Sequence, residues 1–182
     1  MQMAISLVDD IDTLGREGTS ARLHAISLVY DLVDQSESFS AIVLEDYLEQ
    51  LFSYTQMSHD GSPVQILFER TPADHRTGLE VTSNVGLLFQ EIVDLVRSNC
   101  FTSDGGTVGI AETEEDDELV FTLEHGGREL TAEARPEQNP GSLLAAFLER
   151  LGARVEIETN RTNRWTIGIP EEKLSAARSA GV

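Results

Sequence analysis

The sequence predicts an α+β chain: a helical dimerisation hairpin followed by an α/β sandwich, in which helices cover one face of a mixed, mostly antiparallel sheet. Three observations carry this. Residues 4–33 hold two successive runs of apolar side chains spaced three, four, three. Residues 86–101 keep apolar side chains at helical period over four turns. Beyond residue 104, turn residues and short apolar runs spell out hairpin, long loop, helix and hairpin.

The first run is Ala4, Leu7, Ile11 and Leu14, broken by Gly15-Arg16-Glu17-Gly18. Thr19 or Ser20 can cap the second helix, where Leu23, Ile26, Tyr30 and Val33 repeat the spacing. Two such helices joined by a short turn cannot bury their seams on each other, so a homodimer closing a four-helix bundle is expected. Leu44, Tyr47, Leu48, Leu51, Phe52 and Tyr54 make a third amphipathic helix, ended by Ser58-His59-Asp60-Gly61. Residues 64–70 read as a strand, and 71–83, with Pro72 and Gly78, as a loop.

The central helix from Gly86 to Phe101 sets Leu88, Ile92, Leu95, Val96 and Cys100 on its buried face, and Gln90, Glu91, Asp94 and Arg97 along an acidic edge. After the turn Asp104-Gly105-Gly106, residues 107–111 and 118–123 form a hairpin whose tip is the solvated acidic run 112–117. Residues 126–142 are a long loop. Leu143, Leu144, Phe147, Leu148 and Leu151 restore the helical period, Gly152 closes that helix, and 155–159 with 164–169 give the last hairpin. The tail from residue 171 is a short helix or a frayed end. The division is then 1–57 for the hairpin and its connecting helix, 58–170 for the sandwich, and 171–182 for the tail.

Of 182 residues, 13 are basic and 32 acidic, a net charge of -19 that repels phosphate backbones and anionic headgroups, so neither nucleic acid nor a membrane is an expected partner. The single cysteine, Cys100, lies in the central helix as a core thiol, which excludes a disulfide framework and a thiolate zinc site. No apolar run approaches the ~18 residues that span a bilayer. No basic n-region with an apolar h-region opens the chain, and the cytoplasm is the expected compartment.

Read residue by residue, Gly86-Leu87-Leu88-Phe89-Gln90-Glu91-Ile92-Val93-Asp94-Leu95-Val96-Arg97-Ser98-Asn99-Cys100-Phe101 resembles the N-box helix of sensor histidine kinases and related GHKL ATPases, roughly G-L-I-L-N-E-L-V-T-N-A-L-K-H-A-F. Gly86, Leu87, Glu91, Val93 and Phe101 carry the match. The stretch from Arg22 to Ser36, with Val43-Leu44-Glu45-Asp46-Tyr47-Leu48 after it, is similar to the second dimerisation helix of those kinases and its lead into their catalytic domain. The resemblance covers residues 21 to 170 and implies the GHKL fold, with Glu91 as the base that handles the attacking nucleophile.

The departures bear on chemistry. Leu95 stands where the resemblance puts the magnesium-binding Asn, and an apolar side chain donates no oxygen to a hard cation. Ser98 stands in place of Lys and Asn99 in place of His. Where such a kinase has D-x-G-x-G, this chain has His125-Gly126-Gly127-Arg128-Glu129; near the second glycine box it has Gln138-Asn139-Pro140-Gly141-Ser142, where proline removes an N–H. The acceptor motif H-H-R-x-K-N-N is absent. ATP and Mg²⁺ are therefore not expected as cofactors: Glu91 is a vestigial base, and Asp94, His125 and Gly127 belong to a vestigial nucleotide pocket.

His24, on the second hairpin helix with Asp31 a heptad further on, is the candidate phosphoacceptor. His59 and His75 sit in loops without a shared pattern, so no metal site is expected. The expected function is a two-component signalling protein of histidine-kinase descent that binds a response-regulator receiver domain. It would act by passing phosphate as the similar histidine phosphotransferases with a pseudo-ATPase domain do, or by binding alone. The alternatives are the catalytic core of an active sensor kinase and an anti-sigma-like interaction module that uses no phosphate.

Overall fold

The computed structural model describes residues 19–34, 42–58, 63–72, 74–159 and 162–175. Helix α1 spans residues 19–34. The strand β1 (Ile42–Val43) leads directly into α2 (Leu44–Ser58), followed by β2 (Val64–Glu69), β3 (Arg76–Thr77) and α3 (Leu79–Cys100). Then come β4 (Gly106–Glu115), β5 (Glu118–His125), two single 3₁₀ turns (Ala132–Ala134 and Pro136–Gln138), α4 (Leu143–Leu151), β6 (Arg154–Thr159), β7 (Asn163–Pro170) and α5 (Glu171–Ser175).

The main sheet has the order β2-β4-β5-β7-β6, parallel between β2 and β4 and antiparallel elsewhere, so the mixed, mostly antiparallel expectation holds. Alternation along the strands decides which face is covered. Val108 and Ile110 of β4, Phe121 and Leu123 of β5, and Trp165 and Ile167 of β7 point into one core shared with α2, α3 and α4. Phe89 of α3 ties the layers together: its ring meets Phe121 of β5 at 4.7 Å and Phe52 of α2 at 5.7 Å, both edge-on, an arrangement worth roughly 0.5–1.5 kcal/mol per pair beyond the area it buries. The other sheet face stays open, with the cross-strand pair Arg164–Glu124 on it.

Local signals end the elements where expected. The Ser142 hydroxyl accepts from the Ala145 N–H at 3.2 Å and caps α4, and Gly152, at φ 59, closes it in the left-handed region. Three expectations need correction. The acidic run is not a hairpin tip, because β4 continues to Glu115 and only Asp116 and Asp117, at φ 45 and 65, make the turn. Period-2 alternation carries on past Ile110, so Glu112 lands on the core side and is buried. Residues 71–83 are not one loop: β3, which pairs with β1, and the first turn of α3 lie within them.

On α1, Ala21, Ala25, Leu28, Val29 and Val33 face the core, while Leu23, Ile26 and Tyr30 are 61%, 36% and 53% exposed. Val33 thus leaves the expected seam for the core. The Tyr47 hydroxyl of α2 donates to the Ala25 carbonyl at 3.0 Å and sits against Gly86 of α3, where a Cβ would collide with it. The expected first helix, from Ala4 to Leu14, and His59 lie outside the described residues. Among the described residues no helix is long and apolar enough to cross a membrane.

Candidate functional site

Helical period turns Glu91 and Asp94 of α3 away from Phe89, with Leu95, partly packed on the core, and Asn99 along the boundary between the two faces. There they face Pro136, Asn139 and Leu144 across a cavity of about 290 Å³, at the bottom of the range of roughly 300–1,000 Å³ usual for small-molecule sites. Both carboxylates in it already have protein partners. Arg22 of α1 donates from Nε to Glu91 Oε1 at 2.5 Å, and this pairing holds the guanidinium firmly in its charged form. Asp94 accepts from Gln90 Nε2 at 3.0 Å, and Gln90 in turn accepts from the Thr55 hydroxyl of α2 at 3.1 Å. Leu95 supplies no oxygen. The cavity wall thus lacks an oxygen donor from the side chain at position 95, where the resemblance puts one.

His125 and Gly127 do not line this cavity. His125 closes β5 at 2% exposed, tilted against Phe101 at 5.7 Å, with neither ring nitrogen hydrogen-bonded; burial lowers its pKa, so the ring is neutral. Gly127 is a point of close approach: a Cβ there would lie 2.5 Å from the Cys100 carbonyl oxygen. That carbonyl accepts from the Arg128 N–H at 2.7 Å, and the Gly127 carbonyl accepts from Asn163 Nδ2 at 2.7 Å. Cys100 itself is buried, as expected.

His24 is half-buried on α1, its ring stacked on Tyr54 with the planes 16° apart. Partial burial lowers its pKa, with the Asp31 charge acting in the opposite direction.

A second cluster escaped the sequence reading. Glu45 lies in the first turn of α2, His75 just before β3, and Glu112 on the core side of β4. His75 Nδ1 is 2.5 Å from Glu45 Oε1 and 3.4 Å from Glu112 Oε1; its Nε2 is 3.0 Å from Glu114 Oε1. The His75 backbone N–H donates to both oxygens of Glu45, at 3.0 and 3.1 Å. Neither oxygen of Glu112 has a hydrogen-bond partner. Burial, and then the neighbouring Glu45, push the Glu112 carboxyl up to about 8, while the surrounding carboxylates outweigh burial and raise His75. The one sequence signal was the alternation Val108, Ile110, Glu112; nothing linear tied Glu112 to residues 45 and 75.

No protein-family model matches the chain, and no curated protein matches it in sequence. Solved structures do. The histidine kinase domain of the Erythrobacter litoralis EL346 blue-light activated histidine kinase is 18% identical with a TM-score of 0.72, over 99% of this chain and 89% of that one. A longer structure of the same kinase is 22% identical at 0.67, over 84% of this chain and 54% of that one. The Acinetobacter baumannii histidine kinase AdeS is 13% identical at 0.58, over 94% and 85%. At such identities the likeness is one of fold.

Proposed function

We propose, from the histidine-kinase-domain fold and the state of its cavity, that the chain is a two-component signalling protein of histidine-kinase descent that works without ATP. It engages a response-regulator receiver domain, either accepting a phosphoryl group or acting by binding alone. The observation that carries this reading is the Arg22–Glu91 pair. The carboxylate that the resemblance assigns to base work is tied down by a charge-assisted hydrogen bond at 2.5 Å, in a cavity whose wall has Leu95 where a magnesium ligand is needed. The exposed Leu23, Ile26 and Tyr30 give α1 an apolar stripe for a second copy of the chain.

His24 remains the candidate acceptor. Its lowered pKa keeps the imidazole neutral at pH 7, the form whose nitrogen lone pair can attack phosphorus and lose its ring proton as the aspartyl–phosphate bond breaks. Its stack on Tyr54 favours the second reading, recognition of the receiver without transfer.

Calorimetric titration with Mg·ATP tests the main claim, with light scattering on the same sample. No heat at millimolar nucleotide and a dimer are expected; micromolar binding that Glu91→Ala abolishes would make this an active kinase core. Incubation with a labelled phospho-receiver then separates the two readings, since label moving to the wild type but not to His24→Ala requires transfer.

A further inference from the structure

A second group of ligand-bearing side chains lies away from the cavity on α3. We propose that Glu45, His75 and Glu112 bind one divalent cation of the zinc class, as a site that pins the β1–β3 ribbon and the start of α2 to the main sheet. One ligand atom from each residue lies within 4.8 Å of the others, and Glu45 and Glu112 are 0% and 3% exposed.

The donor set selects the ion. Two carboxylates and an imidazole suit Zn²⁺, which takes three protein ligands and leaves a fourth position for water, whereas Ca²⁺ and Mg²⁺ prefer oxygen alone. Zinc bonds of roughly 2.0–2.2 Å in tetrahedral array separate ligand atoms by about 3.3 Å. The 3.4 Å between His75 Nδ1 and Glu112 Oε1 already fits, and Glu45 has to draw back slightly from 2.5 Å.

Two further features belong to a ligand site rather than to a salt bridge. Glu112 brings a carboxyl group whose oxygens meet no hydrogen-bond geometry into the core edge, 3.4 Å from His75 Nδ1 and beside Glu45, where burial favours its protonated form; a bound cation takes the place of that proton. His75 has Nδ1 toward Glu45 and Glu112, while its Nε2 lies 3.0 Å from Glu114 Oε1, where an outer carboxylate orients the ring of a metal-bound histidine. The guanidinium of Arg70 is engaged elsewhere, by Asp46 at 2.7 Å and Asp74 at 3.4 Å. Glu45 and His75 are 30 residues apart in sequence, so an ion joining them also closes a loop. His75 is the partly exposed member, and the ion enters past it. The site shares no residue with the cavity on α3, so it stands or falls independently of the proposed function.

The test is calorimetric titration of chelator-treated protein with Zn²⁺, with bound metal counted by atomic absorption, and Co²⁺ as a spectroscopic stand-in. One Zn²⁺ per chain is expected, with a higher melting temperature and a visible cobalt band of low-coordinate type. Glu112→Gln and His75→Gln are each expected to weaken binding at least about a hundredfold and remove the band, and Glu114→Gln to weaken it about tenfold. Absence of Zn²⁺ uptake by the wild type overturns the proposal. So does equal uptake by wild type, Glu112→Gln and His75→Gln, because scattered surface carboxylates then account for it. If Glu112→Gln fails to fold, the cobalt spectra of wild type and His75→Gln decide the matter on the same terms.

Discussion

Glu91 and Glu112 are both carboxylates at the margin of one core, and they are in opposite states. Glu91 stands on the helix that resembles a nucleotide-binding element, yet it is occupied by Arg22, and its neighbour Asp94 by Gln90. Glu112 stands in a run that reads as solvated acid, yet it is buried and its oxygens have no hydrogen bond. A polar group already matched within the chain has become part of the scaffold; a buried one left unmatched is where an external ligand gains most. The region with the familiar sequence thus has its carboxylates paired within the chain, and the region without one holds a buried carboxyl that accepts no hydrogen bond.

The strongest way to break the comparison is at the packing that holds Arg22 over Glu91. Gly86→Val puts a branched side chain where the Tyr47 hydroxyl lies, and displaces it from the Ala25 carbonyl that anchors α1. Overpacking and an unmatched buried hydroxyl each cost about 1–3 kcal/mol, so a loss of about 3 kcal/mol is expected in urea unfolding. A change within about 0.5 kcal/mol would mean that α1 is not held through Tyr47. Arg22→Ala acts on the pair alone. The Arg22 side chain is 36% exposed, which screens the interaction, so about 1.5 kcal/mol is expected rather than the ~3 of a fully buried pair. A double-mutant cycle with Glu91→Ala should recover most of that as coupling, and a coupling near zero would mean that Arg22 does not hold Glu91.

What could be read in advance follows the same division. Periodicity located α2, α3, α4 and both hairpins because each is a local pattern with its own stop signal, as with Ser142 and Gly152 around α4. The two-residue strands β1 and β3 were missed, since their pairing of Ile42 with Thr77 rests on long-range contact and not on any run of residues. Within the cavity on α3, the positions of Glu91 and Asp94 were legible from helical phase, but Arg22 as the partner of Glu91 was not, because 69 residues separate them. His125 was placed beside them by analogy with a motif, and the fold instead turns its ring into the core against Phe101. Glu112 was misread because a charged run suggests solvent, whereas its strand phase continued inward.

The smallest expected effect sharpens the contrast from inside the core. His125 resembles Glu112 in being buried without hydrogen bonds, but it packs against the Phe101 ring with no second ligand-bearing side chain beside it. His125→Leu removes two unmatched nitrogens from an apolar surround and should stabilise the chain at pH 7 by less than about 1 kcal/mol. The pH dependence carries the sharper signal. Burial lowers the folded pKa below the ordinary 6.5, so beneath that pH the unfolded chain binds a proton that the folded chain refuses. Wild-type stability therefore falls as pH drops from 6.5 toward the folded value, and the gap to His125→Leu widens through that window before levelling off. Urea midpoints at stepped pH would show it. Parallel curves for the two proteins would mean that His125 has a proton acceptor in the folded state.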